Sequence, residues 1–263
     1  MSNGVILIGC DPEFFLRRKA DGVHIPAIGL VPGTKTVPFP LEDGSVQVDG
    51  LAVEIGIDPA STFDEFDRKI TNVLSQVERM IPDELEFSRS PTVVFDEAQL
   101  AGFSDEQLQL GCDPDYNAYT GVVNPAPERP EPGFSVAAGH VHFGIGTFPE
   151  HESEIHRKTI EPLVRHFDKY VGTRSCIIDP DPRRRVLYGK AGSYRPKPYG
   201  GEYRTPSNGW IWDSGNRKVI FDNMLRAIDM FGGDERGYLE QDVREAIDRT
   251  DAEECAVIAK YYK

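Results

Sequence analysis

The sequence predicts an α+β fold with a largely antiparallel sheet. Three observations favour it. Strand-like and helix-like segments interleave irregularly along the 263 residues, hairpin signals outnumber strand–helix–strand crossovers, and a hydrophobic fraction of 39% is sufficient for one sizeable core. No internal repeat or shift in composition marks a domain boundary. We therefore expect a single domain over residues 1–263, with a helical C-terminal region from about 216 to 263.

The N-terminal part of the chain is rich in strand signals. Residues 5–16 form an apolar run with β-branched side chains, which predicts a strand. Pro12 interrupts this run, and proline favours the edge of a sheet or the end of a strand because it lacks an N–H group. Two short apolar runs between residues 46 and 57 surround Asp49-Gly50, which predicts a β-hairpin with these two residues at the turn.

Helical signals begin at residue 62. Thr62 and Glu65 form a capping-box pattern, and apolar residues then recur at helical spacing as far as Ile81. Further along, residues 135–146 have a strand pattern and residues 155–171 have a helical one.

The last third is predicted to be mainly helical. Short strands are expected around Val186 and Glu202. Helical spacing then covers residues 218–230 and 239–247, and a further capped helix begins near Thr250.

Composition excludes several classes of protein. The formal net charge of -14 disfavours general nucleic-acid binding, because an acidic surface repels phosphates. No segment has the roughly 18 consecutive apolar residues of a membrane span, and the first residues lack the features of a secretory signal. The four cysteines include no CxxC pair, so we expect reduced thiols and a cytoplasmic protein.

Two acidic motifs lie in strand-like sequence. Asp11 and Glu13 are two residues apart, so on an extended segment they point to the same face and can offer oxygen ligands to Mg²⁺ or Mn²⁺. The alternative is a turn in which Asp11 makes local backbone hydrogen bonds. Glu54 stands between Val53 and Ile55, either as a further ligand or as a carboxylate that faces solvent.

A third motif contains two histidines. His140 and His142 are also two residues apart in a strand-like segment, and the flanking glycines permit close approach of a ligand. This spacing is typical of metal ligands, although such pairs also occur as ordinary core or surface residues.

The fourth motif is basic. Residues 183–195 concentrate arginine and lysine between glycines, and residues 200–205 add Glu202 and Arg204 at strand spacing. In an acidic protein this pattern favours a pocket for a phosphate-bearing ligand over its alternative, a solvated basic loop. Neither a Walker A loop nor a GxGxxG turn is present.

Taken in order, the segments DPEF, VDGLAVEI, AAGHVHFG, GKAGSYR and GEYRTPSN resemble the phage-type carboxylate-amine ligases, or amidoligases. These enzymes belong to the superfamily of glutamine synthetase and glutamate-cysteine ligase, and the resemblance extends from about residue 9 to residue 212. It implies a glutamine-synthetase-like domain whose curved, largely antiparallel sheet binds ATP and two or more Mg²⁺ or Mn²⁺ ions on its concave face.

The resemblance also implies roles for individual residues. The implied metal ligands are Asp11, Glu13, Glu54, His140, His142 and Glu202. The implied phosphate-binding residues are Lys190, Arg195 and Arg204, with His142 also at the nucleotide, and Arg195, Arg204 and Glu54 are the implied catalytic residues.

The implied reaction is ATP-dependent formation of an amide bond. ATP phosphorylates a carboxylate, and an amine then attacks the acyl phosphate. Asp49 and Asp115 are candidates to accept the proton of the amine. The alternatives are a metal-dependent hydrolase that uses the two histidines, or an inactive binding protein of the same fold.

The substrates are expected to be an amine and a carboxylate, among which a peptide or a peptidoglycan precursor is a candidate, in the host cytoplasm if a phage encodes the protein. We predict that residues 95–129, with the proline-rich residues 125–132, border the entrance of the site and select the amine. The alternative is a purely structural loop. Polar and aromatic residues of this loop that favour recognition are Asp113, Asp115, Tyr116, Asn117 and Tyr119.

Overall fold

The structure is a computed structural model that describes residues 5–108, 115–125, 128–148, 150, 153–233 and 237–262. Its main feature is a ten-stranded sheet in which every pairing between strands is antiparallel. Helices flank this sheet, so the predicted α+β class with an antiparallel sheet is confirmed.

The strands of the large sheet are β1 (Leu7–Arg18), β2 (His24–Ile25), β3 (Phe39–Leu41), β4 (Gly44–Asp49), β5 (Ala52–Ala60), β6 (Leu85–Ser88), β8 (Tyr116–Asn117), β10 (Gly139–Gly144), β11 (Ser193–Lys197) and β12 (Gly200–Tyr203). Their order is β3-β4-β5-β1-β10-β12-β11-β8, and the short strands β2 and β6 pair with the far end of β1. A separate pair consists of β7 (Thr92–Val94) and β9 (Phe134–Val136).

The helices are α1 (Phe63–Glu78), α2 (Glu97–Leu100), α3 (Asp105–Leu108), α4 (Glu154–Phe167), α5 (Thr173–Ile178), α6 (Ser214–Asp229), α7 (Glu240–Arg249) and α8 (Ala252–Tyr261). A π-helical turn at Asp168–Gly172 joins α4 to α5, and 3-10 turns occupy Pro182–Val186 and Asn208–Trp212. Within the described residues, no helix is long and apolar enough to span a membrane.

The predicted cap of the first long helix is confirmed. Thr62 is the N-cap of α1, and its side chain accepts a hydrogen bond from the backbone N–H of Glu65. The buried face of this amphipathic helix comprises Phe66, Ile70, Val73 and Val77. It packs on β5, so burial of apolar area stabilises both elements.

Pro12 does not lie at an edge, which corrects the expectation from the sequence. It belongs to β1, the strand between β5 and β10 at the centre of the sheet. Its partner on β10 is Gly139, and the pairs between β1 and β5 include Cys10 and Glu13 but not Pro12, which has no N–H group to donate.

Two further expectations need correction. Val186 ends a 3-10 turn and is not in a strand, whereas β11, which begins at Ser193, was not predicted. The hairpin turn lies one residue later than expected, because Asp49 pairs with Ala52 as the last residue of β4. Asp49 therefore belongs to β4, and its side chain follows the alternation of that strand between the two faces of the sheet.

Side-chain alternation gives the sheet two unlike faces. On β1, Ile8, Cys10 and Phe14 are buried in the main core, whereas Asp11 and Glu13 point to the opposite side. That core lies between the sheet and the helices α1, α4 and α6. The other face carries the polar side chains that the sequence singled out.

Candidate active site

Strand register brings the predicted motifs together on the polar face. Asp11 on β1 lies opposite His140 on β10, and Glu13 lies opposite Glu54 on β5. On the other side of β10, His142 pairs with Glu202 of β12, and Glu202 in turn pairs with Arg195 of β11. Segments up to about 190 residues apart in sequence thus contribute to one continuous surface.

One cluster, here called the acidic cluster, consists of Glu13, Asp49 and Glu54. An oxygen atom from each carboxylate lies within 4.8 Å of the other two. Burial and the neighbouring Asp49 raise the pKa of Glu13 to about 7. Burial, together with Asp11 and Glu13, raises the pKa of Glu54, and burial also raises that of Asp49. The three carboxylates repel one another in a partly buried position, so a cation there would relieve the repulsion.

Neighbouring groups orient two members of the acidic cluster. The backbone N–H of Ala138 donates to Glu13 Oε2 at 2.9 Å, and the side chain of Gln47 on β4 donates to Glu54 Oε2 at 2.8 Å. From the sequence, Asp49 was predicted only as a candidate proton acceptor, because it was expected in the turn and not in the strand β4.

A second cluster consists of Asp11, His142 and Glu202, whose ligand atoms also lie within 4.8 Å of one another. His142 Nε2 lies 3.0 Å from Asp11 Oδ2, and the hydroxyl of Tyr199 hydrogen-bonds the other ring nitrogen. Although burial opposes ionisation, His142 lowers the pKa of Asp11, and Asp11 raises the pKa of His142.

Glu202 is fully buried and surrounded by cations. Its oxygens contact Arg204, Arg195 at 3.4 Å and Lys197 at 3.0 Å. Despite burial, Arg204 and these neighbours hold its pKa well below the usual value, so the carboxylate is ionised. Lys197 was not predicted, although it shares strand spacing with Arg195.

His140 lies beside the second cluster and lines a pocket with Glu13 and Asp49. Its Nδ1 atom is 3.2 Å from Glu202 Oε1 and 3.5 Å from Asp11 Oδ1. Burial, assisted by Arg204, lowers its pKa to about 4. The ring is therefore neutral near pH 7, which is the form that binds a metal.

Among its described residues, the predicted loop reaches the site through Asp115 and through Arg129, which lines a pocket with Glu13 and His140. Asp115 Oδ2 lies 3.5 Å from Arg204 Nε. Tyr116 packs on Tyr194, and the Tyr119 hydroxyl donates to Asp168, so these two rings belong to the packing behind the sheet. Asp113 lies outside the described residues.

Lys190 is exposed on the turn before β11, and the structure gives its ammonium no contact with the clusters. Its backbone carbonyl instead accepts a hydrogen bond from Thr205 Oγ1 at 3.0 Å. Its role at a phosphate stays a prediction.

Two buried residues fix the backbone at the end of β12: Arg184, which was predicted only as part of the basic motif of residues 183–195, and Asp168, which was not predicted. Arg184 donates to the carbonyl oxygens of Thr205 at 2.9 Å and Arg204 at 3.3 Å. Asp168, on the π-helical turn, accepts a 2.6 Å hydrogen bond from the Tyr203 hydroxyl. These contacts fix the backbone on which Glu202 and Arg204 project into the site.

The chemistry of the donors fits hard divalent cations. Carboxylate oxygens are the ligands that Mg²⁺ and Mn²⁺ prefer, and a neutral histidine also suits Mn²⁺. The acidic cluster offers three carboxylates, and the second cluster offers two carboxylates and an imidazole.

Two pockets flank the clusters. One is lined by Asp11, His142 and Tyr199 together with glycines at positions 9, 56 and 144. The other is lined by Glu13, Asp49, His140 and Arg204 and continues to Arg129 and Tyr188. The polar face can therefore receive one ligand from each side.

A family of known proteins matches the part of the chain that contains the histidine motif and the basic motif. Residues 114–230 match the family model described as Phage phiEco32-like COOH.NH2 ligase-type 2. The match confirms the resemblance to carboxylate-amine ligases. It includes the two histidines and the segment from Lys190 to Arg204, and it begins after Asp11, Glu13 and Glu54.

Among solved structures, the chain is similar to a bifunctional glutathione synthetase from Pasteurella multocida, with 12% sequence identity and a TM-score of 0.38. The alignment covers 98% of this chain and 46% of the other, so the chain spans about half the length of that protein. No curated protein matches the chain.

Proposed function

We propose that the protein is an ATP-dependent ligase that joins a carboxylate to an amine through an acyl phosphate. The observation that carries this proposal is the placement of two carboxylate-rich clusters beside Arg195, Lys197 and Arg204 on one face of the sheet. Phosphoryl transfer needs cations on both sides of the transferred group, since the developing charge is spread over its oxygens. A hydrolase of uncharged bonds has no need for three such cationic side chains.

In this proposal the acidic cluster holds one divalent cation, and Asp11, His142 and Glu202 hold a second. When bound, such cations neutralise charge on the β- and γ-phosphates and orient the transferred group. His140, neutral and buried beside Asp11 and Glu202, is available to the second ion. Burial and the neighbouring Asp11 raise the pKa of Glu54, and a cation close to this carboxylate would favour its ionised form.

The three cationic side chains act on the phosphates. Arg204 and Arg195 can each donate two hydrogen bonds from a planar guanidinium, the geometry that suits phosphate oxygens. Before a nucleotide binds, Glu202 keeps them in position by pairing with them. Lys197 adds a point charge on the same strand.

In the proposed arrangement, the nucleoside binds in the pocket that is lined by Asp11, His142 and Tyr199. Glycines at positions 9, 56 and 144 leave space on the sheet there, because they carry no side chain. The phosphates then point from this pocket toward the clusters. The carboxylate substrate enters from the opposite pocket, and Asp115, beside Arg204, lies where it can accept the proton of the attacking amine.

The proposal is tested by incubating the protein with MgATP, a panel of carboxylic acids and hydroxylamine as the amine. Hydroxylamine traps an acyl phosphate as a hydroxamate, so ADP and hydroxamate should form together and only when an acid is present. ADP formation without hydroxamate, at the same rate with and without acid, would contradict the ligase and favour the hydrolase.

Variants make this test specific. Replacing Glu13, Glu54 or Glu202 by glutamine should each lower the rate by about 100-fold or more, since each removes charge from a cation site. The control is Glu84→Gln, which changes an exposed carboxylate in the turn before β6. Equal rates in all four variants would show that the clusters are not the site.

A further inference from the structure

Two buried cysteines lie against each other, although they are far apart in the sequence. Cys176 on α5 and Cys255 on α8 are both shielded from solvent, and both are free thiols in this structure. The thiol of Cys255 hydrogen-bonds to the sulfur of Cys176. Because α5 packs on α8, the fold brings the two sulfur atoms together without a CxxC motif.

A buried arginine contacts this pair. Arg185, in the 3-10 turn Pro182–Val186, is 4% exposed. Its two terminal nitrogens donate to Thr250 Oγ1 and to Cys176 Sγ, each at 3.2 Å. Neither partner is a carboxylate, and within the described residues no carboxylate forms an ion pair with this guanidinium.

These contacts indicate that Cys176 is the counter-ion of Arg185. A guanidinium stays protonated, and an unpaired charge is costly in a buried position. Of the two atoms that it contacts, only the sulfur can become an anion near neutral pH. The hydrogen bond from Cys255 and the charge of Arg185 lower the pKa of Cys176, although burial opposes this. The contact with Cys176, together with burial, raises the pKa of Cys255, which therefore keeps its proton.

The pair lies under a helix at the surface. On α8, Val257 and Tyr261 are about half exposed, whereas Cys255 is on the buried side. Surface elements open locally more often than the whole protein unfolds, so a small molecule can reach such a site without global unfolding. A thiolate that lies beside a cation and a second cysteine is the arrangement that reacts with peroxides.

We propose that Cys176 and Cys255 are a redox pair that a peroxide closes to a disulfide, and that this closure loosens the end of β12 through Arg185. Formation of the disulfide is independent of the proposed function. An effect of the disulfide on catalysis rests on the proposed function.

The reaction takes place in two steps. The Cys176 thiolate attacks one oxygen of hydrogen peroxide and breaks the O–O bond, which gives a sulfenic acid and hydroxide. The hydroxide takes the proton of Cys255 and becomes water. The new thiolate attacks the sulfur of the sulfenic acid, and hydroxide leaves as the S–S bond forms. Two electrons thus pass from the two sulfur atoms to the peroxide.

Closure removes the counter-ion of Arg185. The sulfur atoms of a disulfide carry no charge, so the buried guanidinium is left without an anionic partner. The preceding residue, Arg184, donates to the carbonyl oxygens of Thr205 and Arg204. Movement of the 3-10 turn therefore weakens these hydrogen bonds and shifts the backbone that positions the Arg204 side chain.

The first experiment detects the disulfide. The full chain is treated with hydrogen peroxide, which catalase then removes, and is unfolded and alkylated with iodoacetamide. Peptide mapping by mass spectrometry should show Cys176 linked to Cys255, and dithiothreitol should reverse the link. Unmodified thiols, or oxidation products without this link, would overturn the proposal.

Cysteine variants test the order of the two steps. In Cys255→Ser, peroxide should add oxygen to Cys176, because the sulfenic acid has no partner thiol. In Cys176→Ser, Cys255 should stay reduced. The reverse pattern would overturn the assignment of Cys176 as the residue that reacts with the peroxide.

Arginine variants test the counter-ion. Arg185→Gln should slow disulfide formation by about 10-fold, the change in thiolate fraction for one pKa unit, and Arg185→Lys should slow it less because the charge remains. The control Arg183→Gln changes an exposed arginine of the same turn that pairs with Asp181, and it should leave the rate unchanged. An equal rate in Arg185→Gln would contradict the role of this arginine. Arg185→Lys and the cysteine variants decide the matter if circular dichroism shows that Arg185→Gln does not fold.

Hydrogen exchange tests the effect on β12. Amide exchange in peptides that contain residues 182–187 and 200–205 is measured by mass spectrometry before and after peroxide treatment. Exchange in both segments should become about 10- to 100-fold faster, the range for loss of a hydrogen bond to a charged group, and dithiothreitol should restore it. The control Cys176→Ser should show no change on treatment. Unchanged exchange at residues 200–205 in chains that contain the disulfide would overturn the coupling.

The hydroxamate assay separates this proposal from the proposed function. Faster exchange at residues 200–205 in the disulfide form, without ADP formation from any acid in the reduced form, would support the redox pair and contradict the ligase. Hydroxamate formation at the same rate with and without the disulfide would support the ligase and contradict the coupling.

Discussion

Replacing Glu13 by glutamine should stabilise the protein when divalent cations are absent. Burial and Asp49 raise the pKa of Glu13 from 4.5 to about 7, which means that ionising it in the folded state is unfavourable. At about 1.4 kcal/mol per pKa unit, this corresponds to roughly 3 kcal/mol at pH 8. Glutamine cannot ionise, and its side-chain oxygen can still accept the hydrogen bond from Ala138.

The sign of the pH dependence follows from the direction of the shift. Because the pKa is higher in the folded state, the contribution of Glu13 to stability is greatest below about pH 4.5, where it is protonated in both states. This contribution is lost as the pH rises through about 7. The variant should therefore match the wild type near pH 4.5 and exceed it increasingly up to pH 8.

The assay is thermal unfolding in EDTA between pH 4.5 and 8, followed by circular dichroism. For a chain of this length, 3 kcal/mol corresponds to a rise in Tm of roughly 6–12 °C at pH 8. Saturating Mg²⁺ should reverse the order, because it stabilises the wild type more than the variant. An unchanged Tm at pH 8 in EDTA, with Glu84→Gln as control, would refute the interpretation of the acidic cluster.

Three other predictions concern the residues around the clusters. The imidazole of His140 should remain neutral down to about pH 5 in metal-free protein, because burial lowers its pKa. The ¹⁵N NMR signals of the ring report its protonation, and protonation near pH 6.5 would contradict its buried position. Tyr203→Phe should lower the free energy of unfolding by about 1–3 kcal/mol, because it leaves the buried Asp168 with one hydrogen bond fewer. In urea unfolding, an unchanged midpoint would show that this bond contributes nothing. Gly189→Ala should destabilise the protein by at least about 2 kcal/mol, since the residue has a φ of 80° and a Cβ there would collide with Arg184. A decrease in the free energy of unfolding of less than about 0.5 kcal/mol, which is typical of neutral surface changes, would contradict this.

Strand alternation explains why much of the site could be predicted. Asp11 with Glu13 and His140 with His142 are each separated by one residue, so a strand assignment alone places each pair on one face. The helix cap at Thr62 was similarly local, because it depends on residues three positions apart.

The remaining residues depend on long-range geometry. Asp49 joins the acidic cluster because the hairpin turn lies one residue later than the Asp49-Gly50 signal suggested. Arg129 reaches the pocket from a proline-rich segment with no strand or helix periodicity. Arg184 acts through backbone carbonyls about 20 residues away, and such contacts leave no pattern in the sequence. Pro12 was expected at an edge or a strand end, but the order of the strands, which is a long-range property, puts its strand β1 between β5 and β10.

The central claim is that the polar face of the sheet holds divalent cations beside a nucleotide. Anomalous diffraction from crystals grown with Mn²⁺ and a non-hydrolysable ATP analogue tests it most directly. We expect two manganese peaks, one within about 2.5 Å of oxygens of Glu13, Asp49 and Glu54, and one at Asp11, His142 and Glu202. The phosphates should lie between these ions and Arg204. Nucleotide bound elsewhere, or manganese absent from both clusters at saturating concentration, would contradict the account.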